Sequence, residues 1–416
     1  MDNKPSSHYH PPEVADFNRR ARALDASGSD NVELTADALL AQARADTGLA
    51  HFGDESFLPA LRALLQTAQE DIQFNPFGRM TLKARLLRPL KNRLWAHACF
   101  EAHPEILERP MVAPIVIVGP GRSGTTRLQR LLAADSRLQH LKTWEGFNPA
   151  PRLDLPDHGK AERRTETENF LRQGKAINPG ALAAHPMDTD WAEEEILLIN
   201  HSFCGVMALG LQRYHDWLLG YDKTSAYRYM ANLMRLISWS RGDAPDKRWV
   251  MKTPHHMLDL DVLLKVFPDA KVIFTHRDPL KTVPSTMSLM WHYAVQTTDQ
   301  PLRAPIRDVW MHLCEEMDRR CMRVRDTMRP EQQLDVQYAE VSGDWRAVMQ
   351  RVYDFVDMEL TPQALQSIGD WQAASDKDNQ HGGHTYALED FGLTVAEVDT
   401  RMQFARERYA IPFEGR

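Results

Sequence analysis

Gly119-Pro120-Gly121-Arg122-Ser123-Gly124-Thr125-Thr126 is the stretch of this 416-residue chain whose residue types and spacing specify chemistry most directly. Its glycines let the backbone turn tightly, so that successive N–H groups and the start of a following helix face one anion. Ser123, Thr125 and Thr126 add hydroxyl donors, and Arg122 adds a planar cation that forks onto phosphate oxygens. The pattern predicts a phosphate cradle built from Gly121, Arg122, Ser123, Gly124, Thr125 and Thr126.

Several ligands compete for such a loop. As GxxxxG-[ST] it is a nucleoside-triphosphate loop, but Thr125 stands where a lysine normally neutralises the β- and γ-phosphates. As Gly119-x-Gly121-x-x-Gly124 it matches a dinucleotide fingerprint. That reading wants an acid at the end of a second strand, whereas Leu138 to Trp144 is a poor strand and Glu145 comes late. His276-Arg277-Asp278 mimics the catalytic triplet of protein kinases, yet the downstream Asn and DFG and the upstream VAIK are missing.

The elements around these residues read as strands alternating with helices. Ile115-Val116-Ile117-Val118 is a β-branched run that predicts a strand buried on both faces. The helix predicted after it carries Leu128, Leu131 and Leu132 on one face. Further strands are predicted at Trp249–Met251, Lys271–Thr275 and Leu334–Tyr338, with a helix from His256 to Phe267. The implied fold class is α/β, a mainly parallel sheet flanked by helices in a P-loop-like arrangement. Residues 1–30, rich in Pro, Ser, Asp and Gly, are predicted to be disordered. Residues 31–110 form a helical region broken at Asn75-Pro76, and 111–416 the α/β domain, with a helical insert over about 155–245. Within that insert, Asp190 and Glu193 fit a helix-capping box rather than a metal site, and His381-Gly-Gly-His384 is weak as a metal motif.

The loop Gly-Arg-Ser-Gly-Thr-Thr resembles the 5′-phosphosulfate loop of sulfotransferases that use 3′-phosphoadenosine-5′-phosphosulfate (PAPS). The likeness is to the large bacterial branch related to the tyrosylprotein sulfotransferases, and it covers about residues 90–410. It implies a 3′-phosphate site at Arg277 and, eight residues on, Ser285, with Pro284 opening the helix that carries the serine. It also implies that Lys252, in Lys252-Thr253-Pro254-His255-His256, steadies charge on the leaving phosphate. Glu145 is implied as the base that takes the acceptor's proton, with His256 as its rival. Tyr338 resembles a tyrosine that contacts PAPS, and the segment from His381 to Leu393 resembles one able to close over the donor. Leu289 departs from the pattern, standing where relatives carry a further basic contact. The function implied is transfer of a sulfuryl group from PAPS to a hydroxyl of a small molecule, releasing PAP, with no metal required. An ATP- or NAD(P)-dependent enzyme sharing the strand–loop–helix is the alternative, and a degenerate relative is opposed by the presence of Lys252, Arg277 and Ser285.

Composition narrows the partners. With 43% hydrophobic and 26% charged residues the chain can build a large core. Its net charge of −7 argues against broad attraction to nucleic acid or an anionic membrane. The apolar stretch from Glu195 to Gln212 is too interrupted to span a bilayer of about 30 Å. The N-terminus lacks a signal-peptide layout, and the four cysteines form no CxxC pair, which together predict a cytoplasmic protein. The aromatic-rich insert, with Trp191, Phe203, Trp217, Tyr221, Tyr227 and Tyr229, suggests a lipophilic alcohol, sterol-like molecule or phenol as acceptor. Nothing in the pattern fixes an oligomeric state.

Overall fold

The computed structural model describes residues 10–25, 34–206, 209–378 and 386–414. Five strands form its sheet: β1 (Ile115–Val118), β2 (Gln139–His140), β3 (Trp249–Lys252), β4 (Lys271–His276) and β5 (Gln333–Gln337). They lie in the order β2-β3-β1-β4-β5, and every pairing is parallel. The strands expected from β-branched runs are all present, and β2 adds two residues at one edge.

Side chains on successive strand residues point to opposite faces, and here both faces are covered. Val116, Val118, Met251, Val272 and Phe274 join the core beneath the N-terminal and inserted helices. Ile115, Ile117, Val250, Ile273 and Val336 pack on the other face against Leu128, Leu131 and Leu132. Such double burial explains why these strands read as continuous apolar runs rather than alternating ones.

The helices that frame the site begin with α1 (Pro12–Asp25) and α2 (Pro76–Ala102). The expected disorder of residues 1–30 does not hold over α1. Val14 is buried, Phe17 meets Phe77 edge-on at 5.8 Å, and Asn18 Oδ1 accepts the Phe77 N–H at 2.8 Å. One asparagine thus satisfies an N–H at the start of α2 that has no partner within its own helix. Helix α3 (Thr125–Ala133) follows β1, and α4 (Thr143–Phe147) follows β2. The insert ends in α5 (Thr224–Arg241), and α6 (Pro279–Ala294) follows β4. Helices α7 (Arg303–Arg325) and α8 (Val395–Tyr409) pack against α6. No helix among the described residues is long and apolar enough to cross a membrane.

Strand register decides where the site lies. Ile117 is level with Lys252, Val118 with Phe274, and His276 with Gln337. The carboxyl ends of β1, β3, β4 and β5 therefore open on one edge of the sheet, where α/β proteins hold their ligands. A Cβ at Gly119, the first residue beyond β1, would collide with the Thr275 hydroxyl and carbonyl of β4. Gly119→Ala should cost about 1–3 kcal/mol of stability in urea unfolding, whereas Gly174→Ala, in open space on a helix, should cost nothing.

Candidate active site

The loop from Gly119 to Thr126 leaves β1 and enters α3 through two residues in the left-handed region, Arg122 at φ 71° and Gly124 at φ 91°. That conformation is free for glycine but costs roughly 1–2 kcal/mol for arginine. Ser123 is fully buried, its hydroxyl donating to the Pro120 carbonyl at 2.7 Å and sharing a 2.6 Å bond with Thr275 Oγ1. It is not a hydroxyl offered to a ligand, as expected from sequence, but a tie between the loop and β4. Gly121, Arg122, Gly124, Thr125 and Thr126 do line the cavity above the sheet edge. The Arg122 guanidinium donates to the Ala184 carbonyl at 3.1 Å, which carries it out over that cavity.

Lys252 ends β3 beside this loop and is 1% exposed. Its Nζ donates to Glu194 Oε1 at 2.5 Å and to Thr126 Oγ1 at 3.1 Å. Thr253 Oγ1 donates to the second Glu194 oxygen at 3.1 Å, so the carboxylate is held on both sides. The Lys252 backbone N–H donates to Glu195 at 2.6 Å, and burial pushes the Glu195 carboxyl well above its ordinary range. His185 Nε2 lies 3.2 Å from both Glu193 oxygens; burial pushes Glu193 up, but the imidazole and Lys252 outweigh it and hold the group low. The capping role expected of Asp190 and Glu193 is overturned. The helix here begins only at Ile196, Asp190 is paired with Arg164 at 2.7 Å, and the three glutamates serve the cavity wall and β3. His185, Glu193 and Glu194 offer ligand atoms within 4.8 Å of one another, the types a divalent ion takes, although His185 and Lys252 already contact both acids.

Arg277 follows β4, its guanidinium stacked 3.9 Å from the centre of the Tyr338 ring and donating to the Arg122 carbonyl at 3.1 Å. Both residues line the cavity, and Glu414 pairs with Arg277 at 3.3 Å. Asp278 caps α6 through the Leu280 N–H at 3.0 Å and pairs with Arg406, so the His-Arg-Asp run contains no Arg277–Asp278 bridge. Helix α6 starts at Pro279 rather than at Pro284, so Ser285 sits in its second turn and not at its opening. Ser285 Oγ is buried and unpartnered but does not form part of the cavity wall; Thr282, Thr286 and Leu289 do.

Neither expected base reaches the cavity. Glu145, 2% exposed, accepts the Lys142 N–H that opens α4 at 3.0 Å and a two-pronged ion pair from Arg241. The lysine–loop region instead receives Glu194. His256 is wholly buried, with Nδ1 3.0 Å from the Tyr227 hydroxyl, and burial pushes its pKa down to about 3. Its neighbour His255 faces the cavity, with Nε2 3.1 Å from Asp259, which also receives Lys223 at 2.6 Å. Of the expected closing segment from His381 to Leu393, residues 381–385 lie outside the described residues, and Leu388–Phe391 form a short helical turn.

The cavity measures about 680 Å³ and adjoins a second, more apolar one of about 330 Å³. His185, Glu194, Ile196, Val206, Leu289 and Met290 belong to both walls. A cradle for phosphate, the Arg277 guanidinium, and a carboxylate backed by buried Lys252 at the neck of an apolar chamber suit group transfer from an anionic donor to an apolar acceptor.

Comparison with known proteins agrees. The family model described as the sulfotransferase family matches residues 114–362. The crystal structure of sulfotransferase STF1 from Mycobacterium tuberculosis H37Rv superposes with a TM-score of 0.76 at 29% identity, over 88% of this chain and 98% of that one. Sulfotransferase STF9 from Mycobacterium avium superposes at 0.80 with 26% identity, over 93% and 100%. Omega-hydroxy-beta-dihydromenaquinone-9 sulfotransferase Stf3 of Mycobacterium bovis is 28% identical over 264 residues, 59% of this chain. That match spans 63% of the relative's own length.

Asp318 of α7 also lines the larger cavity, is 6% exposed and pairs with no cation among the described residues; burial alone pushes its carboxyl up to about 7. Its protonated form stabilises the fold fully below about pH 4, and that contribution is lost as pH rises through about 7. Thermal unfolding should therefore show Asp318→Asn equal to wild type at pH 4 and more stable at pH 8, by roughly 2–4 kcal/mol.

Proposed function

Because this chain belongs to the sulfotransferase family, we propose that it transfers a sulfuryl group from PAPS to the hydroxyl of an apolar small molecule, releasing PAP. The contact that carries the reading is Lys252 bridging Glu194 and Thr126 at the mouth of the phosphate loop. The residues fit the donor as a set. Gly121, Gly124, Thr125 and Thr126, with Arg122, line the space for the 5′-phosphosulfate; Arg277, stacked on Tyr338, takes the 3′-phosphate in exchange for Glu414. Thr282 and Thr286, on the same helix as Ser285, line the cavity and are the hydroxyls of that helix open to such a phosphate.

Sulfuryl transfer is an in-line displacement, so positioning and charge neutralisation dominate. As the acceptor oxygen bonds to sulfur, the bond from sulfur to the phosphate oxygen breaks and the hydroxyl proton leaves. Glu194, at the neck between the two cavities, receives that proton, and Lys252 shifts its charge toward the departing phosphate. His185 and Glu193 hold the neighbouring wall. This assignment replaces Glu145, whose carboxylate is committed to Arg241. The ATP reading is weaker, since Thr125 stands in the lysine position and the loop's cations are arginines, Arg122 within it and Arg277 from the end of β4. The Mycobacterium bovis relative is named for an omega-hydroxy-beta-dihydromenaquinone-9, which supports a hydroxyl-bearing small molecule as acceptor here. The cysteines are all unpaired thiols, in keeping with a cytoplasmic setting.

Sulfur-labelled PAPS offered with a series of medium-chain alcohols should give sulfate esters. Glu194→Gln should lower kcat by about 10²–10⁴-fold with PAP affinity changed by only a few-fold, whereas Glu145→Gln should weaken folding and leave kcat of the folded fraction intact. Full activity in Glu194→Gln would remove it from the chemistry.

A further inference from the structure

The smaller cavity is apolar on most of its wall, with Leu86, Phe147, Phe170, Ile196, Leu197 and Met290, yet α2 places two arginines there. Arg88 lies between the rings of Phe147 and Phe170, at 5.0 and 4.8 Å. Arg85, one turn earlier, forms no hydrogen bond or ion pair among the described residues, and Tyr293 lies close enough to act on its charge. Burial pushes both guanidinium groups down; at Arg88 the Glu166 carboxylate opposes this and Arg85 adds to it.

Other arginines nearby are held by protein carbonyls. Arg93, two turns further along α2, donates to the carbonyls of Asp54 at 2.5 Å and His201 at 3.2 Å, and stacks on Phe57 and Tyr229. Arg163 donates to the carbonyls of Asn148 and Pro149, both at 3.2 Å. Arg85, half-buried and opening on the apolar cavity, has no such partner, and an anionic group bound there would supply one. Glu193 and Glu194 do not supply one, being held by His185 and Lys252. Tyr293 stands between these groups electrostatically, its pKa raised first by burial, then by Glu193 and Glu194, and lowered by Arg85.

We propose that this chamber selects acceptors that carry an anionic group, a carboxylate, at the end remote from the hydroxyl: the hydroxyl at Glu194, an apolar body along the cavity, and the carboxylate on Arg85. The proposal rests on the sulfuryl-transfer reading for which end bears the hydroxyl. A bidentate carboxylate–guanidinium pair shielded from water supplies both affinity and orientation.

The test is equilibrium binding of 10-hydroxydecanoate and of its methyl ester, to wild type and to Arg85→Met, each with and without PAP. Wild type should bind the acid about 10–100-fold tighter than the ester, and Arg85→Met should bind the two alike. Unchanged PAP affinity in Arg85→Met shows that the variant is folded, and Arg85→Lys should keep part of the preference. Equal binding of acid and ester by wild type, or a preference that survives in Arg85→Met, would overturn the proposal. Arg85-dependent binding of the acid without sulfated product from PAPS would instead contradict the transfer reading and leave the carboxylate site standing.

Discussion

Lys252 imposes the constraint on which the rest of this structure depends. It ends a central strand with its ammonium almost fully removed from water, and such a charge is tolerable only with partners at hydrogen-bond distance. The β1–β3 register sets it beside the phosphate loop, so Thr126 supplies one partner from α3. The others must come from outside the sheet. The insert supplies them as three consecutive glutamates: Glu194 meets the ammonium, Glu195 takes the strand's own N–H, and Glu193 binds His185. The helical insert is thereby tied to the sheet edge through charge, and its apolar side becomes the wall of the second cavity.

The loop opposite is organised by the same logic with the sign reversed. Arg122 in a left-handed conformation, Ser123 tied to β4 and Gly119 pressed on Thr275 all hold N–H groups and cations about an open space. Arg277 reaches the same space from β4, flattened on Tyr338 from the end of β5. Arg122 after β1 and Arg277 after β4 thus bring cations to one concavity, with Lys252 of β3 buried behind Glu194 and Thr126, in a protein whose net charge is −7. Attraction for an anion is local and built by the topology, not by the overall charge.

Much of this architecture is legible in the chain itself. The buried strands announce themselves by β-branched runs, and the loop by glycines and hydroxyls between strand and helix. The base we propose, Glu194, is not legible in the same way. Glu145 stands at a suitable distance along the chain from Arg122, but Arg241 lies 96 residues further on and sequence spacing does not show that it claims the carboxylate. Glu194 resembles part of a helix start because acids favour first turns, although three adjacent buried acids need cations and Lys252 needs an anion. Pairing those two requirements is the signal that points to it. Local pattern misplaces Ser285 by one turn because Pro279, not Pro284, opens α6. Helix α1 escapes a reading of composition since its order comes from Asn18 and Phe17 docking on α2, a tertiary effect.

The concavity is shaped, on this account, for a nucleotide carrying phosphate at both its 5′ and 3′ ends, with Arg277 at the second. Calorimetric titration of PAP and ATP into wild type and Arg277→Ala tests that most directly. The account predicts PAP binding far tighter than ATP, falling by about 10–100-fold in Arg277→Ala, with ATP binding little changed. ATP binding as tight as PAP, or PAP binding indifferent to Arg277, would contradict it.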